Sequence, residues 1–373
     1  MHTVTRKCLF LLWSLLFSAL LSAQEVGIKF HTGLFSDALA KAKIENKYLF
    51  VDCFTTWCGP CKELEKAVFI DKSVADYFNE KFINFRLDVE KGEGIELKKR
   101  FGVQPVPTLL FINSDGMVEH KFIGSSSPEE FLRNTEEVFT SEKRYGVLER
   151  KYAKGDKDLL FMADYLNELL KQTEYSKARD LLATVIAENP VEDICNVTFW
   201  PIITHDWIAE SNSVYYNLLI DNHDTFIRNV GRETYNTRMS EIFKRYAGTW
   251  IFSGARKGSE AEDIVRAERD VIRLSLDDSQ EVLLLLEIAR SRVQKDYDKF
   301  LSLIEDNFDI IPEEEKFGIF INSRFFAKEA TSGQSNKYLS LMQKFVRESE
   351  NASYKDPLAQ VIKGLENAKS NTK

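Results

Sequence analysis

"FVDCFTTWCGPCKEL", Phe50 to Leu64, sets two cysteines, Cys58 and Cys61, two residues apart just downstream of an apolar run that one acid interrupts. The run "YLFVDCF", Tyr48 to Phe54, is apolar except for Asp52, the pattern of a central strand buried on both faces. The residues after it have helical character, which predicts a strand, a short loop and a helix that starts near Cys58. Unpaired N–H groups and the helix dipole at that position favour a thiolate. Cys61, one turn further on, is placed to attack a mixed disulfide formed at Cys58 and to release the product. Pro60 suits the first turn, because its missing N–H has no partner to lose there. The chemistry implied is thiol–disulfide exchange. The other uses of such a pair are half a zinc site or a structural bridge. Zinc needs two more ligands, and the remaining candidates are Cys53, inside the strand, and the distant Cys195. The five histidines, His2, His31, His120, His205 and His223, sit at no ligand spacing from one another or from an acidic cluster. No metal and no cofactor are expected.

Outward from this stretch, strand and helix patterns alternate up to about residue 140. "VGIKFH" (26–31) predicts a short strand, and "GLFSDALAKAKIENK" (33–47) carries Leu34, Ala38, Leu39 and Ala42 at helical spacing. "CKELEKAVFIDKSVADYFNEK" (61–81) predicts one helix bent near Asp71, "FINFRLDV" (82–89) a strand, and "GIELKKRFG" (94–102) a short helix ended by Gly102. "TLLFINSDGMVEHKFIG" (108–124) is a hairpin: two apolar runs joined by Asn-Ser-Asp-Gly turn chemistry. "SPEEFLRNTEEVF" (127–139) opens a helix, with Ser127 as cap, Pro128 in the first turn and Glu130 three residues after the cap. The order β-α-β-α-β-α-β-β-α predicts a mixed sheet with helices on both faces.

At this point the chain resembles a known family. "WCGPC", Trp57 to Cys61, is similar to the active-site motif of thioredoxins, and the likeness extends over roughly residues 26–140. It includes Asp52 before the motif, "VPT" (Val106, Pro107, Thr108) before the next strand, and Gly124 after the hairpin. "VFIDKSVADYFNEKFINFRLD" (68–88) looks closer to the thioredoxin-like domains of exported bacterial reductases than to the small cytosolic proteins. The resemblance implies an α/β thioredoxin fold, a mixed central sheet flanked by helices. It implies that Pro107 has a cis peptide bond, a form that X-Pro bonds adopt readily, and faces the cysteines. Its loop would receive a substrate segment, with Trp57, Gly59, Pro60, Val106 and Thr108 as substrate-binding residues. It implies that Asp52 takes a proton from the resolving cysteine through water.

An unpaired acid in a buried strand costs several kcal/mol if ionised, so burial should raise the pKa of Asp52. Arg86 stands where many thioredoxins carry a Lys on the neighbouring strand, and its fixed charge would pull that pKa down. Gly59-Pro60 between the cysteines is the pair of reducing thioredoxins, and no His adjoins Cys61. Reduction of protein disulfide substrates is the expected direction. Cys53 points to the opposite face from Asp52 and is expected to be a core residue. Cys195, in "EDICNVTFW", is expected to be a buried free thiol, with an accessory redox partner as the other possibility. For the aromatic "FWPIITHDWIA" (199–209), core packing and an exposed binding surface both remain open.

From residue 141 onward the pattern is helical throughout. Asp156 is the expected cap of "KDLLFMADYLNELLKQ", and "YSKARDLLATVIAENP" stops at Pro190. Further helices are expected at 213–220, 224–246, 261–275, 279–304, 313–328, 336–348 and 356–367. The expected division is therefore residues 24–140 as the thioredoxin-like domain and 141–373 as an all-α, repeat-like helical domain.

The chain of 373 residues has 44% hydrophobic and 29% charged residues, which is globular. Its net charge of −8 argues against nucleic acid as a partner. Arg6 and Lys7 followed by "CLFLLWSLLFSALL" and the small Ser22 and Ala23 read as a cleaved signal peptide over residues 1–23. The alternative is an uncleaved N-terminal anchor. Loss of Arg6 and Lys7 takes the net charge to −10 and leaves four of the five cysteines. The chain is then exported, to a periplasm or a comparable oxidising space. An exported reductase needs recharging, which points to a membrane-linked electron donor. Three functions stay open: a protein-disulfide reductase with a helical extension, a disulfide isomerase or oxidase whose extension holds clients, and a helical binding or assembly module that uses the first domain for docking.

Overall fold

The computed structural model describes residues 27–254, 258–322 and 329–370. The expected signal peptide lies outside the described residues. The chain divides into two compact units, the first ending at Leu182 and the second beginning at Ala183.

The first unit is built on a five-stranded sheet in the order β1-β3-β2-β4-β5. The strands are β1 (Phe30–His31), β2 (Tyr48–Phe54), β3 (Phe82–Asp88), β4 (Thr108–Ile112) and β5 (Val118–Ile123). β1, β3 and β2 run parallel, and β4 and β5 are antiparallel additions. The central strand β2 has five successive buried residues, as its unbroken apolar run requires. Leu49, Val51 and Cys53 face a core shared with Phe35, Ala38 and Ala42 of α1 (Phe35–Glu45) and Leu97 of α4 (Gly94–Arg100). Phe50 faces the opposite core, where Phe69, Phe78, Phe82, Phe111 and Phe131 join Leu64 and Val68.

Several local expectations are corrected. Among the described residues of the strand expected at 26–31, only Phe30 and His31 are paired. The helix expected over 61–81 is broken: α2 (Gly59–Glu63) runs into a π-helical turn, Leu64–Val68, and α3 (Lys72–Lys81) starts anew. The break falls at Asp71, whose carboxylate accepts the Ser73 and Val74 N–H groups at 2.9 and 3.1 Å and so caps α3. Ser127 caps α5 (Pro128–Thr140) by accepting the Glu130 N–H at 3.2 Å.

Helices continue from Thr140, with α6 (Tyr145–Ala153), α7 (Leu159–Lys171) and α8 (Tyr175–Glu188). The cap of α7 is Asp158, not Asp156, because Asp158 accepts the Leu160 and Phe161 N–H groups. The division between compact units falls inside α8. The reason is β5, whose Glu119, His120 and Lys121 are all buried. Glu119 accepts hydrogen bonds from Arg144 and Arg150, and the Lys121 N–H is met by Gln172 Oε1 at 2.9 Å. The edge strand is thus covered by helices that follow it in sequence.

In the second unit, α9 (Val191–Ile194) and α10 (Trp200–Ile203) are single turns, followed by α11 (Val214–Asp221), α12 (His223–Val230) and α13 (Arg232–Ser253). Then come α14 (Glu260–Leu274), α15 (Ser279–Val293), α16 (Tyr297–Asp306), α17 (Glu313–Ile321), α18 (Ser332–Glu348) and α19 (Ala352–Ser370). The helix expected at 224–246 is two, parted at Gly231 with φ 90°. The helix expected at 279–304 is also two, parted at Lys295 with φ 60°. "FWPIITHDWIA" is mostly core: Phe199, Trp200, Ile202, Ile203 and Ile208 are buried, and Trp207 is exposed. No described helix is long and apolar enough to cross a membrane.

Candidate functional site

The site forms where β2 ends and α2 begins. Cys58 is the N-cap of α2, with extended backbone (φ −68°, ψ 114°), and its Sγ accepts the Cys61 N–H at 3.2 Å. Pro60 lies in the first turn. Cys58 and Cys61 are joined by a disulfide, and both sulfur-bearing residues are buried. Around them Trp57, Gly59 and Pro60 are exposed, and no atom outside its chain neighbours lies within 4 Å of where a Cβ on Gly59 would stand. Trp57 is 67% exposed and is steadied by one bond, Nε1–H to Glu90 Oε2 at 3.0 Å.

Asp52 lies on β2 on the same face as Phe50, the face covered by the π turn that follows α2. It is 1% exposed. Its Oδ2 accepts Arg86 Nε–H at 3.1 Å, from the position directly opposite on β3. Its Oδ1 is buried with no hydrogen-bond partner among the described residues. Burial pushes the carboxyl up to about 6; the nearby Arg86 opposes this and the charge of Glu65 adds to it. Arg86 therefore acts in the direction its fixed charge requires, and burial outweighs it. Its guanidinium is also shared. Glu65, on the π turn, takes NH1 at 2.9 Å and NH2 at 3.4 Å, and the group lies 4.4 Å from the Phe54 ring centroid.

The Val106–Pro107 peptide bond is cis, and Pro107 is buried. Pro107 O accepts the Gly124 N–H at 3.0 Å, and Thr108 Oγ1 donates to Pro105 O at 2.8 Å. Thr108 pairs with Cys53, so this loop enters the sheet at the end of β2 from which the cysteine loop leaves. Two buried thiols lie apart from this chemistry. Cys53 and Cys195 are both fully buried, and burial raises the Cys53 thiol well above its ordinary range and pushes Cys195 up to about 11. Among the described residues no group of three or more His, Cys, Asp or Glu side chains is placed to hold a metal ion.

Glu65 and Glu90 were not legible from sequence as parts of the site. Glu65 is 21 residues from Arg86, and no spacing rule links a helical Glu to a strand Arg on another element.

A family model for the thioredoxin-like domain matches residues 35–139. Thioredoxin-1 of Drosophila melanogaster is 37% identical over 84 residues, 21% of this chain and 74% of that protein. The thiol:disulfide interchange protein DsbD of Vibrio cholerae is 38% identical over 81 residues, 21% of this chain but 13% of that protein. A solution structure from Bacteroides thetaiotaomicron, described as a candidate disulphide-isomerase, is 53% identical, with a TM-score of 0.30, covering 32% of this chain and 99% of that one. Fold, dithiol and sequence agree: the chain belongs to the thioredoxin-like family and carries a disulfide oxidoreductase domain of that type.

Proposed function

We propose that the chain is an exported protein-disulfide reductase in which Cys58 is the nucleophile and Cys61 the resolver. The observation that carries the assignment is the placement of the two sulfurs about one helix end. Cys58 caps α2 from outside and receives an amide N–H, while Cys61 sits inside the first turn. In the reduced protein the Cys58 thiolate attacks a substrate disulfide; a Cys58–substrate bond forms, the substrate S–S bond breaks and one substrate thiolate leaves. Cys61 then gives its proton to Asp52, by way of water, and its thiolate attacks Cys58. That step releases the second substrate thiolate and leaves the Cys58–Cys61 disulfide. Two electrons pass to the substrate, and a membrane-linked donor returns them. Trp57, Gly59 and Pro60, with the Val106–Thr108 loop, receive the substrate segment; the exposure of the first three beside buried sulfurs supports that role.

The test is the reduction potential of the Cys58–Cys61 pair together with turnover of a protein disulfide. A potential near about −270 mV with turnover is expected, and one near about −120 mV would make the protein an oxidant. Absence of turnover would make the first unit a docking platform.

A further inference from the structure

We propose that Glu65 is a positioning residue for proton transfer at Asp52: it holds the outer edge of the Arg86 guanidinium and so leaves one oxygen of Asp52 free to receive the Cys61 proton. This rests on the reading of Asp52 as the acceptor of that proton. An arginine and a carboxylate that meet alone commonly form two parallel N–H···O bonds. Arg86 and Asp52 form one, from Nε to Oδ2 at 3.1 Å. The terminal nitrogens of the guanidinium are turned to Glu65, one donating to Oε1 at 2.9 Å and the other to Oε2 at 3.4 Å. The two-bond pair that Asp52 lacks is thus made with Glu65. Asp52 Oδ1 is left buried with no hydrogen-bond partner among the described residues. In resolution the Cys61 S–H bond breaks, an O–H bond forms at Oδ1 through water, and the sulfur keeps the electron pair with which it attacks Cys58.

Three elements build this arrangement. Asp52 and Arg86 are register partners on β2 and β3. Glu65 lies in the π turn Leu64–Val68, four residues beyond Cys61 and so about one helical turn further along the same side of the segment. Arg86 is also held by aromatic rings, with its guanidinium 4.4 Å from the Phe54 centroid and 5.7 Å from that of Phe30. Loss of Glu65 therefore leaves Arg86 beside Asp52. Asp52 is sealed from solvent, whereas Glu65 is half-exposed, so its replacement leaves the core untouched. The other neighbours on this face of β2 are apolar: Leu109 is the partner of Asp52 on β4, α3 brings Val74 and Phe78, and α5 brings Phe131. The charges that act on Asp52 are those of Arg86 and Glu65.

The experiment follows the Asp52 carboxyl carbon by NMR against pH in the oxidised, aspartate-labelled chain, with resolution kinetics measured beside it. In Glu65→Ala the freed terminal nitrogens can reach Oδ1, and the Asp52 midpoint should fall by about half a pH unit or more. Arg86→Lys supplies one compact ammonium that cannot span both carboxylates. In that background Glu65→Ala should move the midpoint less than half as far. Near neutral pH, Glu65→Ala should slow resolution by about twofold, because a weaker base takes the proton less readily, with KM for the protein disulfide unchanged. The proposal is overturned if the midpoint stays or rises in Glu65→Ala, or if KM changes in its place, which would make Glu65 a substrate contact. It is overturned as well if the full shift persists beside Arg86→Lys, since Glu65 would then act by its charge alone. The midpoint is read without turnover, so an inactive wild type would overturn the reductase reading while the midpoint still decides this one.

Discussion

Asp52 is held between opposing forces: burial disfavours its charge, and Arg86 at 3.1 Å favours it. Glu65 weakens the second by taking the outer nitrogens of the same guanidinium. The resulting pKa of about 6 lies above the ordinary value of 3.8, so the folded state holds a proton that the unfolded chain releases. The linkage has a definite sign. The contribution is intact below about pH 4 and is lost as pH rises through 6. Relative to wild type, Asp52→Asn should therefore gain about 2–3 kcal/mol between pH 4 and pH 8 in urea unfolding. The same substitution should slow resolution by roughly 10²–10⁴-fold near neutral pH and remove the inflection near pH 6 from the rate profile. An unchanged profile would make Asp52 structural. The sulfur assignment is tested by trapping. Cys61→Ser should accumulate mixed disulfides through Cys58, and Cys58→Ser none, as read by mass spectrometry of trapped adducts; trapping through position 61 would reverse the roles.

At the scale of elements, β5 is the strand that does not stand alone. An exposed edge strand keeps its polar side chains in water. Here Glu119 is 1% exposed and has Asn113, Arg144 and Arg150 as donors, while the Lys121 ammonium meets Glu174 at 2.5 Å. Burial alone would raise the Glu119 pKa; the bonds from Arg150, Asn113 and Arg144 hold it below the ordinary carboxylate range. Beside it, burial lowers His120 to about 4 and raises Glu168, so their 3.4 Å contact joins two groups that favour the neutral form. Gly146 lets α6 approach, because a Cβ there would lie 2.6 Å from Glu119 Oε2. Glu119→Ala should cost about 3 kcal/mol in urea unfolding, toward the low end for a broken buried pair because Arg150 remains partly solvated. A cost under about 0.5 kcal/mol would mean that packing, not this ion cluster, holds α6 to the sheet.

At the scale of the molecule, the boundary between compact units changes what an isolated redox domain should contain. A chain ending near Glu142 keeps the whole sheet and both cysteines but loses the helices that cover Glu119, His120 and Lys121 on β5. One ending near Asn189 keeps the cover. The longer piece should unfold cooperatively and reduce a small generic disulfide at close to the full-length rate. The shorter should be less stable, because β5 becomes an uncovered edge strand that loses its contacts with Arg144, Arg150, Gln172 and Glu174. Matching unfolding midpoints for the two would show that α6 and α7 are dispensable. If the helical unit recruits the redox client, the longer piece should also lose efficiency on that client, because tethering raises a client's effective concentration without new chemistry. Equal efficiency would assign the helical unit to assembly or anchoring.

The dithiol, the acid on β2, the succession of strands and helices along the first half and the helical second half were legible in the sequence alone. Each rests on spacing along the chain: a cysteine pair one turn apart, a two-residue period, a cap three residues before its partner. The Ser127 cap follows that rule; the break at Gly231 within the helix expected at 224–246 was missed. What only the tertiary structure decided are pairs that no local rule connects. Arg86 is shared between Asp52 and Glu65, Glu119 is neutralised from α6, and Asp221 on α11 pairs with Arg273 on α14. Lys295 adopts φ 60° where its side chain gives no reason to expect a break. The physical reason is common to the first three. Backbone geometry and capping act over a few residues and are written in their order, whereas burial and charge pairing depend on which surfaces meet once the chain has closed on itself.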